Sequence, residues 1–272
     1  MNAVHWPLTD RCLIRVTGAD ATRYLNGQLS NDVRKLAPGE ARQACLLTAR
    51  GKLVATPFIW REDSAFVLEV PAECETAFLS RLERYLVADE VVIEKIEDPP
   101  VEYHFLGTEN GSGRSINRVG IPGIDTPNPP AASRRLSADE VETLRIRHAV
   151  PAWGRELDEN VLPAEAGLDR MAIDFHKGCY VGQEVVSRME TAGRVRRTLG
   201  VLQTHPRLPA GTSLQNAEGT AVGHITSAVA HESGGLALAW LHPAAALPGT
   251  RLKPVQIESD GLTEIKVIEK LP

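Results

Sequence analysis

The sequence is poor in the features that mark membrane proteins and proteins that coat polyanions. No uninterrupted apolar run reaches the roughly 18 residues of a membrane-spanning helix. The N-terminus, MNAVHWPLTDR, lacks the basic start and apolar core of a signal peptide. Its 30 basic and 35 acidic residues give a formal charge of −5 without a long block of one sign. We therefore expect a soluble, cytoplasmic protein with no membrane contact and no direct nucleic-acid binding.

Cysteine is scarce, and several ligand-binding motifs are missing. The four cysteines, Cys12, Cys45, Cys74 and Cys179, are far apart and form no C-x-x-C pair. Local cysteine spacing therefore indicates no zinc or iron–sulfur site, and we predict no bound metal and free thiols in a reducing compartment. The G-x-G-x-x-G and G-x-x-x-x-G-K-[ST] motifs are absent, which disfavours dinucleotide and P-loop phosphate sites.

Strand and helix patterns alternate in the first third of the chain. They predict a strand over Cys12–Gly18, a helix from Ala21 capped by Asp20, a hairpin turning at Gly51, and a helix over Glu73–Leu86. Further strand patterns follow the hairpin and the second helix. This order is typical of an α+β domain with helices beside a mainly antiparallel sheet.

The rest of the chain divides at a proline-rich stretch and at Gly193. Ser137 and Glu140 have the spacing of a capping box, which predicts a helix to about His148, with His148 on the inward face. After Gly193, short extended runs alternate with turns over about 75 residues, which indicates a small closed β-barrel. We predict three domains, over residues 1–97, 98–193 and 194–272.

The segment HKGCYVGQE places a lone thiol among glycines. Val181, Val185 and Met189 have the spacing of one helix face, so we expect a helix to begin near Val181 with Cys179 at its entry. The helix dipole and Lys177 would both favour the thiolate and lower the Cys179 pKa below its free value of about 8.5.

Spacing alone also allows plainer interpretations of this segment. A single cysteine before a helix is more often a small buried apolar residue than a reactive one. Gln183 and Glu184 could be first-turn residues that suit the helix dipole. The local pattern therefore leaves the role of Cys179 open.

KGCYVGQE matches the signature K-G-C-[FY]-x-G-Q-E, and the chain resembles the folate-binding YgfZ family. That family is related to the glycine-cleavage T-protein, an aminomethyltransferase, and supports iron–sulfur enzymes. VTGADATRYLNGQLSNDV and LRIRHAVPAWGRELDENVLPAEAGL resemble two further segments of the family, with Tyr24 where phenylalanine is common. The resemblance implies an α+β protein with a T-protein-like three-domain ring around a folate cavity, formed by two α+β domains with antiparallel sheets and a C-terminal β-barrel.

The resemblance also assigns roles within the signature. Cys179 is implied to be the reactive thiol, acting in redox or sulfur chemistry or by transient ligation, with Lys177 favouring its thiolate. Tyr180, Gln183 and Glu184 are implied to belong to the cofactor site. The implied cofactor is tetrahydrofolate or a folate derivative.

Outside the signature, the resemblance points to residues for both ends of folate. Glu165, in LPAEAGL, matches the glutamate that accepts the parallel N–H donors of the pterin; a solvated glutamate at a helix start is the alternative. In GRVRR, Arg194, Arg196 and Arg197 lie near the place of a tail-binding arginine, and strand alternation would let one of Arg196 and Arg197 reach the cavity. A basic turn exposed to solvent is the alternative for either arginine.

Asn31 and Asp32 match an N-D pair that lines the cavity in relatives, although by sequence they could equally end a helix. The chain departs from the transferases at Ala55 and Thr56, which stand where those enzymes carry acidic residues. Without a carboxylate there, aminomethyl transfer lacks the group that would handle its protons and charge.

These observations favour a tetrahydrofolate-binding accessory protein for the synthesis or repair of iron–sulfur clusters in client enzymes. The resemblance implies that radical-type tRNA-modifying enzymes are among the clients. The alternatives are a folate-dependent one-carbon transferase that uses Asp32 as its acid, and a scaffold whose signature segment is a docking surface. An accessory factor is favoured over an aminomethyltransferase.

Overall fold

The computed structural model describes residues 3–107, 113–193, 195–231, 234–255 and 263–270. The strands are β1 (Val4–Pro7), β2 (Arg11–Thr17), β3 (Ala41–Gln43), β4 (Leu46–Leu47), β5 (Leu53–Ala55), β6 (Phe58–Glu62), β7 (Ala65–Pro71), β8 (Val92–Lys95), β9 (Tyr103–Leu106), β10 (Arg114–Asn117), β11 (Pro122–Thr126), β12 (Arg134–Arg135), β13 (Thr198–His205), β14 (Ser213–Gln215), β15 (Ala221–His231), β16 (Gly234–Leu241), β17 (Arg251–Pro254) and β18 (Glu264–Lys270). The helices are α1 (Ala21–Gln28), α2 (Glu75–Glu83), α3 (Ala138–Arg147), α4 (Leu168–Met171) and α5 (Gln183–Ala192), with 3-10 turns at Val33–Lys35, Ala72–Cys74, Pro163–Ala166 and Pro243–Ala245.

The chain folds into two compact units. Unit 1 contains Met1–Leu136, Glu159–Pro163 and Leu168–Ala192, and unit 2 contains Ser137–Asp158, Ala164–Gly167 and Gly193–Pro272. The division into three domains, with its boundaries, stays a prediction.

The first sheet of unit 1 follows the predicted pattern. Its strands lie in the order β3-β6-β7-β2-β8, and every neighbouring pair is antiparallel. Helices α1 and α2 pack through Tyr24, whose hydroxyl donates to the carbonyl of Leu82 at 2.5 Å. Asp20 is the N-cap residue of α1 as predicted, but its side chain makes no capping hydrogen bond: its carboxylate instead accepts from the main-chain N–H of Glu90 and pairs with Arg23.

A second sheet of unit 1 has the order β10-β11-β9-β1-β12. Strand β1 comes from the N-terminus and runs antiparallel to β9 and parallel to β12. Arg118 joins the two sheets, since its guanidinium lies 2.6 Å from Glu69 on β7 and 2.6 Å from Asp125 on β11. Both carboxylates are buried, so the arginine supplies the charge that makes their burial tolerable.

Unit 2 contains the predicted closed barrel, with strand order β13-β16-β15-β14-β17-β18. The capping box at Ser137 and Glu140 is present at the start of α3. The inward orientation predicted for His148 is wrong, because α3 turns Arg145 and Ile146 inward and leaves His148 exposed. Polar contacts set this orientation of α3: the Arg145 guanidinium lies 2.8 Å from buried Glu156 and donates to the Ser227 hydroxyl at 2.7 Å.

The predicted α+β class with antiparallel sheets and a C-terminal barrel is confirmed.

Candidate functional site

Residues 174–182, here called the signature loop, run from the end of α4 towards α5. Helix α5 begins at Gln183, two residues later than predicted, and Cys179 precedes it by four positions. Cys179 is exposed, so the interpretation of this thiol as a buried apolar residue is wrong. The other three cysteines are buried, and burial raises the pKa of Cys12 to about 11 and of Cys45 and Cys74 to about 12. Cys179 is therefore the one cysteine with open access to solvent and partners.

The signature loop is held against the end of α1 and the segment that follows it. The N–H of Asp174 donates to the carbonyl of Ser30 at 3.0 Å, and that of Val181 donates to the carbonyl of Gly27 at 3.2 Å. The buried Ser30 hydroxyl donates to the carbonyl of Ala172 at 2.6 Å and accepts from the N–H of Cys45 at 2.7 Å. The loop is thus fixed at both ends by a segment that lies far away in sequence.

Lys177 points into the protein. Its side chain is buried, and its ammonium donates to the carbonyls of Asn26 and Leu29 at 2.6 and 2.5 Å. The same nitrogen lies 5.0 Å from the centre of the Tyr180 ring. Burial lowers the pKa of Lys177 to about 8.

Glycine has a different use on each side of Cys179. Gly182 has a φ of +91°, and a Cβ there would lie 2.6 Å from the carbonyl oxygen of Thr48 and 3.0 Å from Cβ of Leu47. The close approach at Gly182 is therefore to the hairpin between β4 and β5. A Cβ added at Gly178 would meet no such neighbour within 4 Å, so the backbone next to Cys179 is open.

The remaining signature residues support the turn into α5. The Tyr180 side chain is buried, and its hydroxyl finds no hydrogen-bond partner among the described residues. The side-chain oxygen of Gln183 accepts from the N–H of Tyr180 at 3.3 Å, and Glu184 is exposed. Gln183 therefore has a local structural contact, and its predicted role in cofactor binding stays a prediction, as do those of Tyr180 and Glu184.

Asn31 and Asp32 lie just after the segment that holds the loop. The Asn31 amide donates to the carbonyl of Gln43 at 2.8 Å and its oxygen accepts from the N–H of Asp32 at 2.9 Å. The buried Asp32 carboxylate accepts from the Arg34 guanidinium at 2.9 and 2.7 Å, and hydrogen bonding to Arg34 lowers its pKa to about 2. Asp32 is thus a charged partner of Arg34, with little capacity to bind a proton near neutral pH.

An open cleft of about 550 Å³ lies beside the signature loop within unit 1. Of the predicted site residues, Asn31 contributes to its wall. The cleft is lined by Asn31, Asp169, Arg170, Met171, Ile173, Asp174, Phe175, His176 and Glu190. Burial raises the pKa of Asp169, which makes it a carboxyl group that sequence reasoning missed. Asp169 directly follows the A-G-L triplet, and no feature of the sequence at that point indicates that the residue lines a cleft.

Glu165 and Arg197 meet in unit 2. Glu165 is buried, so the interpretation as a solvated glutamate is wrong, and its carboxylate lies 3.4 Å from Nε of Arg197. The Arg197 guanidinium also stacks over the Trp240 ring, 4.2 Å from its centre. Arg196 is exposed, and Arg194 lies outside the described residues. The two arginines differ in environment, although the predicted contact with a folate tail is untested for both.

Three further observations concern the chemistry available in the part of the chain that the structure describes. Ala55 and Thr56, at the positions where the resemblance places the transferase acids, are buried and carry no carboxylate. No group of three or more His, Cys, Asp or Glu side chains in the described ranges is arranged to hold a metal ion. Within the same ranges, no helix is long and apolar enough to cross a membrane.

Comparison with known sequences finds related proteins but no matching family model. An iron–sulfur cluster assembly factor IBA57 homolog, mitochondrial, from Phaeosphaeria nodorum is 28% identical, with 73% of this chain and 55% of that protein aligned. A protein of the same name from Neosartorya fischeri is 26% identical over 74% and 58%. An uncharacterized protein from Haemophilus influenzae is 28% identical over 82% and 83%. The chain thus spans little more than half the length of the two fungal relatives.

Comparison with solved structures supports the fold. The crystal structure of glycine cleavage system aminomethyltransferase T from Bartonella henselae superposes with a TM-score of 0.83 at 18% identity, and covers 98% of this chain and 85% of that one. At this identity the match establishes the fold alone. The relationship predicted from the signature is confirmed: the chain is similar to the YgfZ-like iron–sulfur cluster assembly factors named IBA57 homologues, and it has the fold of aminomethyltransferase T.

Proposed function

We propose that this protein is an accessory factor for the assembly or repair of iron–sulfur clusters, that it binds tetrahydrofolate, and that Cys179 is its reactive thiol. The observation that carries the proposal is the exposure of Cys179 within an anchored loop, in a chain similar to proteins named as cluster assembly factors. Reactive cysteines need access and a fixed environment, whereas structural cysteines are buried and inert. The three buried cysteines show that contrast within the same chain.

The clients of such a factor would be enzymes that carry iron–sulfur clusters, including tRNA-modifying enzymes of the radical type. In this proposal the cluster is cargo, and the protein holds no resident metal. Gly178 leaves the backbone beside the thiol uncovered, which gives a client protein room to approach. The compartment in which this takes place is proposed to be the cytoplasm.

Glu165 has the chemistry to bind the pterin end of a folate. A buried carboxylate is an acceptor for two parallel N–H donors, and its desolvated position strengthens such hydrogen bonds. Because Arg197 already contacts Glu165, and the pterin and glutamate tail lie at opposite ends of folate, Arg197 is better suited to hold Glu165 than to bind the tail. Arg196 is then the better candidate for the tail. Bound tetrahydrofolate would supply a carrier for one-carbon units.

The alternative, a one-carbon transferase, finds less support in the side chains. It depended on Asp32 as a replacement acid, but the Asp32 carboxylate is engaged by Arg34 and has a pKa of about 2. A general acid or base works best with a pKa near the working pH. Asp32 is therefore poorly suited to the role.

The thiol is tested by complementation of a deletion strain, with the activity of an iron–sulfur client enzyme as the readout. We expect Cys179→Ala to lose most of the support given by the wild-type protein. The matched control is Cys74→Ala, which removes a thiol from a buried position and should retain support if the variant is expressed at a normal level. Full support by Cys179→Ala would remove the thiol from the proposal.

The folate part is tested separately by calorimetric titration with tetrahydrofolate. A hydrogen bond to a charged group contributes roughly 1.5–3 kcal/mol, so we expect Glu165→Gln to weaken binding by about tenfold or more. Glu218→Gln, which changes an exposed glutamate of the same unit, is the control and should bind as the wild type does. Absence of binding at millimolar ligand would refute the folate part and leave the thiol part standing.

A further inference from the structure

The Lys177 ammonium is enclosed in the protein and donates two hydrogen bonds there. An ammonium has three N–H donors. Two of them reach the carbonyls of Asn26 and Leu29, and the nitrogen lies 5.0 Å from the centre of the Tyr180 ring. With only 6% of the residue exposed, Lys177 has little capacity left to act on a group outside this enclosure.

The two carbonyls belong to the C-terminal end of α1. The last carbonyls of a helix have no partner within the helix, and the helix dipole makes that end negative. A lysine side chain can satisfy such carbonyls and complement their charge. Lys177 lies 151 positions after Asn26 and 148 positions after Leu29 in the chain. It therefore caps α1 and ties the signature loop to that helix at the same time.

This contact lies between the two main-chain attachments of the loop. Asp174 is bonded to Ser30 at one end and Val181 to Gly27 at the other, with Lys177 between them. Cys179 lies between Lys177 and Val181, in the exposed part of the loop. The position of the thiol therefore depends on whether the middle of the loop stays attached.

We infer that Lys177 is a positioning residue, whose ammonium clamps the signature loop to the end of α1 and so fixes where Cys179 is presented. It is an alternative to the predicted role, in which Lys177 favours the Cys179 thiolate through its charge, and that role stays a prediction. The inference rests on the proposed function in taking Cys179 as the working thiol. The contacts with Asn26 and Leu29 support the positioning role, because they direct the ammonium to the helix end.

The test measures two properties of Lys177→Met, Lys177→Gln and the control Lys253→Met, which changes an exposed lysine on the barrel. The first is the hydrogen-exchange rate of the Asp174 and Val181 amides, which reports local opening of the loop. The second is the pH midpoint of Cys179 alkylation by iodoacetamide, which reports the thiol pKa. Neither measurement uses folate or a client enzyme, so its result is independent of complementation by Cys179→Ala.

We expect Lys177→Met to accelerate exchange of these amides by about tenfold or more, because two charge-assisted hydrogen bonds are lost. Lys177→Gln keeps two N–H donors without the charge, and its exchange rates should lie between those of the wild type and Lys177→Met. The alkylation midpoint should stay within about 0.3 pH units of the wild type in both variants, since the thiol pKa would not depend on the ammonium. Lys253→Met should change neither property.

A rise of the alkylation midpoint by about one pH unit in either Lys177 variant would overturn the inference, because it would show that the charge acts on the thiol. Unchanged exchange of both amides in Lys177→Met would overturn it as well, since the loop would then not need the clamp. If Lys177→Met does not fold, Lys177→Gln decides: partial protection with an unchanged midpoint supports the inference, and a raised midpoint refutes it.

Discussion

Replacing Gly182 with alanine should destabilise the protein by disturbing the seat of the signature loop. The left-handed backbone conformation at φ +91° costs an L-residue roughly 1–2 kcal/mol. The added Cβ would also lie 2.6 Å from the main-chain oxygen of Thr48, and such overpacking costs roughly 1–3 kcal/mol. Because backbone cannot move aside as a flexible side chain can, we expect a loss of about 3 kcal/mol in the free energy of unfolding.

The matched control is Gly178→Ala, four positions earlier in the same loop. Nothing lies within 4 Å of its Cβ position, so its effect should stay within about 0.5 kcal/mol. Urea unfolding followed by fluorescence gives both free energies, with circular dichroism checking that the two probes report one transition. Equal stability of Gly182→Ala and Gly178→Ala would refute the claim that the loop is seated by close contact at Gly182.

Three further predictions concern buried charges. Arg118→Met should lower the free energy of unfolding by about 3–5 kcal/mol, because it leaves the Glu69 and Asp125 carboxylates buried without their shared cation. The measurement is the thermal midpoint, and a fall no larger than that of an exposed-arginine variant would contradict the prediction. Burial acts to raise the Asp125 pKa, but hydrogen bonding with His104 and Arg118 outweighs it and lowers the pKa from its ordinary 3.8 to about 2. The stabilisation that Asp125 contributes is therefore present above pH 3.8 and is lost as the pH falls towards 2. Acid titration of Asp125→Asn should lack that part of the loss of stability. Burial lowers the Lys177 pKa from 10.5 to about 8, so the unfolded chain binds more protons between these values and stability should rise with pH across that window. The neutral amine keeps two N–H donors for the carbonyls of Asn26 and Leu29, so the contact is retained while the cost of a buried charge is removed. Urea unfolding of Lys177→Met should not show this rise.

The sequence predicted best those features that depend on neighbours in the chain. The capping box at Ser137 needs two residues three positions apart, and the barrel strands need only local alternation and turns. The signature identified the segment around Cys179, and its exposure agrees with a working thiol.

The failures arose where a distant group competes for a side chain. Asp20 could cap α1, but the N–H of Glu90, brought close by the fold, takes its carboxylate. His148 has a helical spacing that suits burial, yet the ion pair of Arg145 with Glu156 sets the orientation of α3. Lys177 also has its hydrogen-bond partners far away, at carbonyls 148 and 151 positions earlier in the chain, although its predicted effect on Cys179 stays a prediction. Sequence spacing cannot show such long-range partners.

The Ser30 hydroxyl has a consequence for how the loop acquires its shape. It accepts from Cys45, 15 positions later, and donates to Ala172, 142 positions later, so it joins one early stretch of chain to one that is made much later during synthesis. Closing a contact of such high sequence separation costs more chain entropy than closing a local one. A fragment that begins after residue 136 would therefore contain KGCYVGQE without the Ser30 hydroxyl, whereas in the growing chain Ser30 and Cys45 are already made when Ala172 is added.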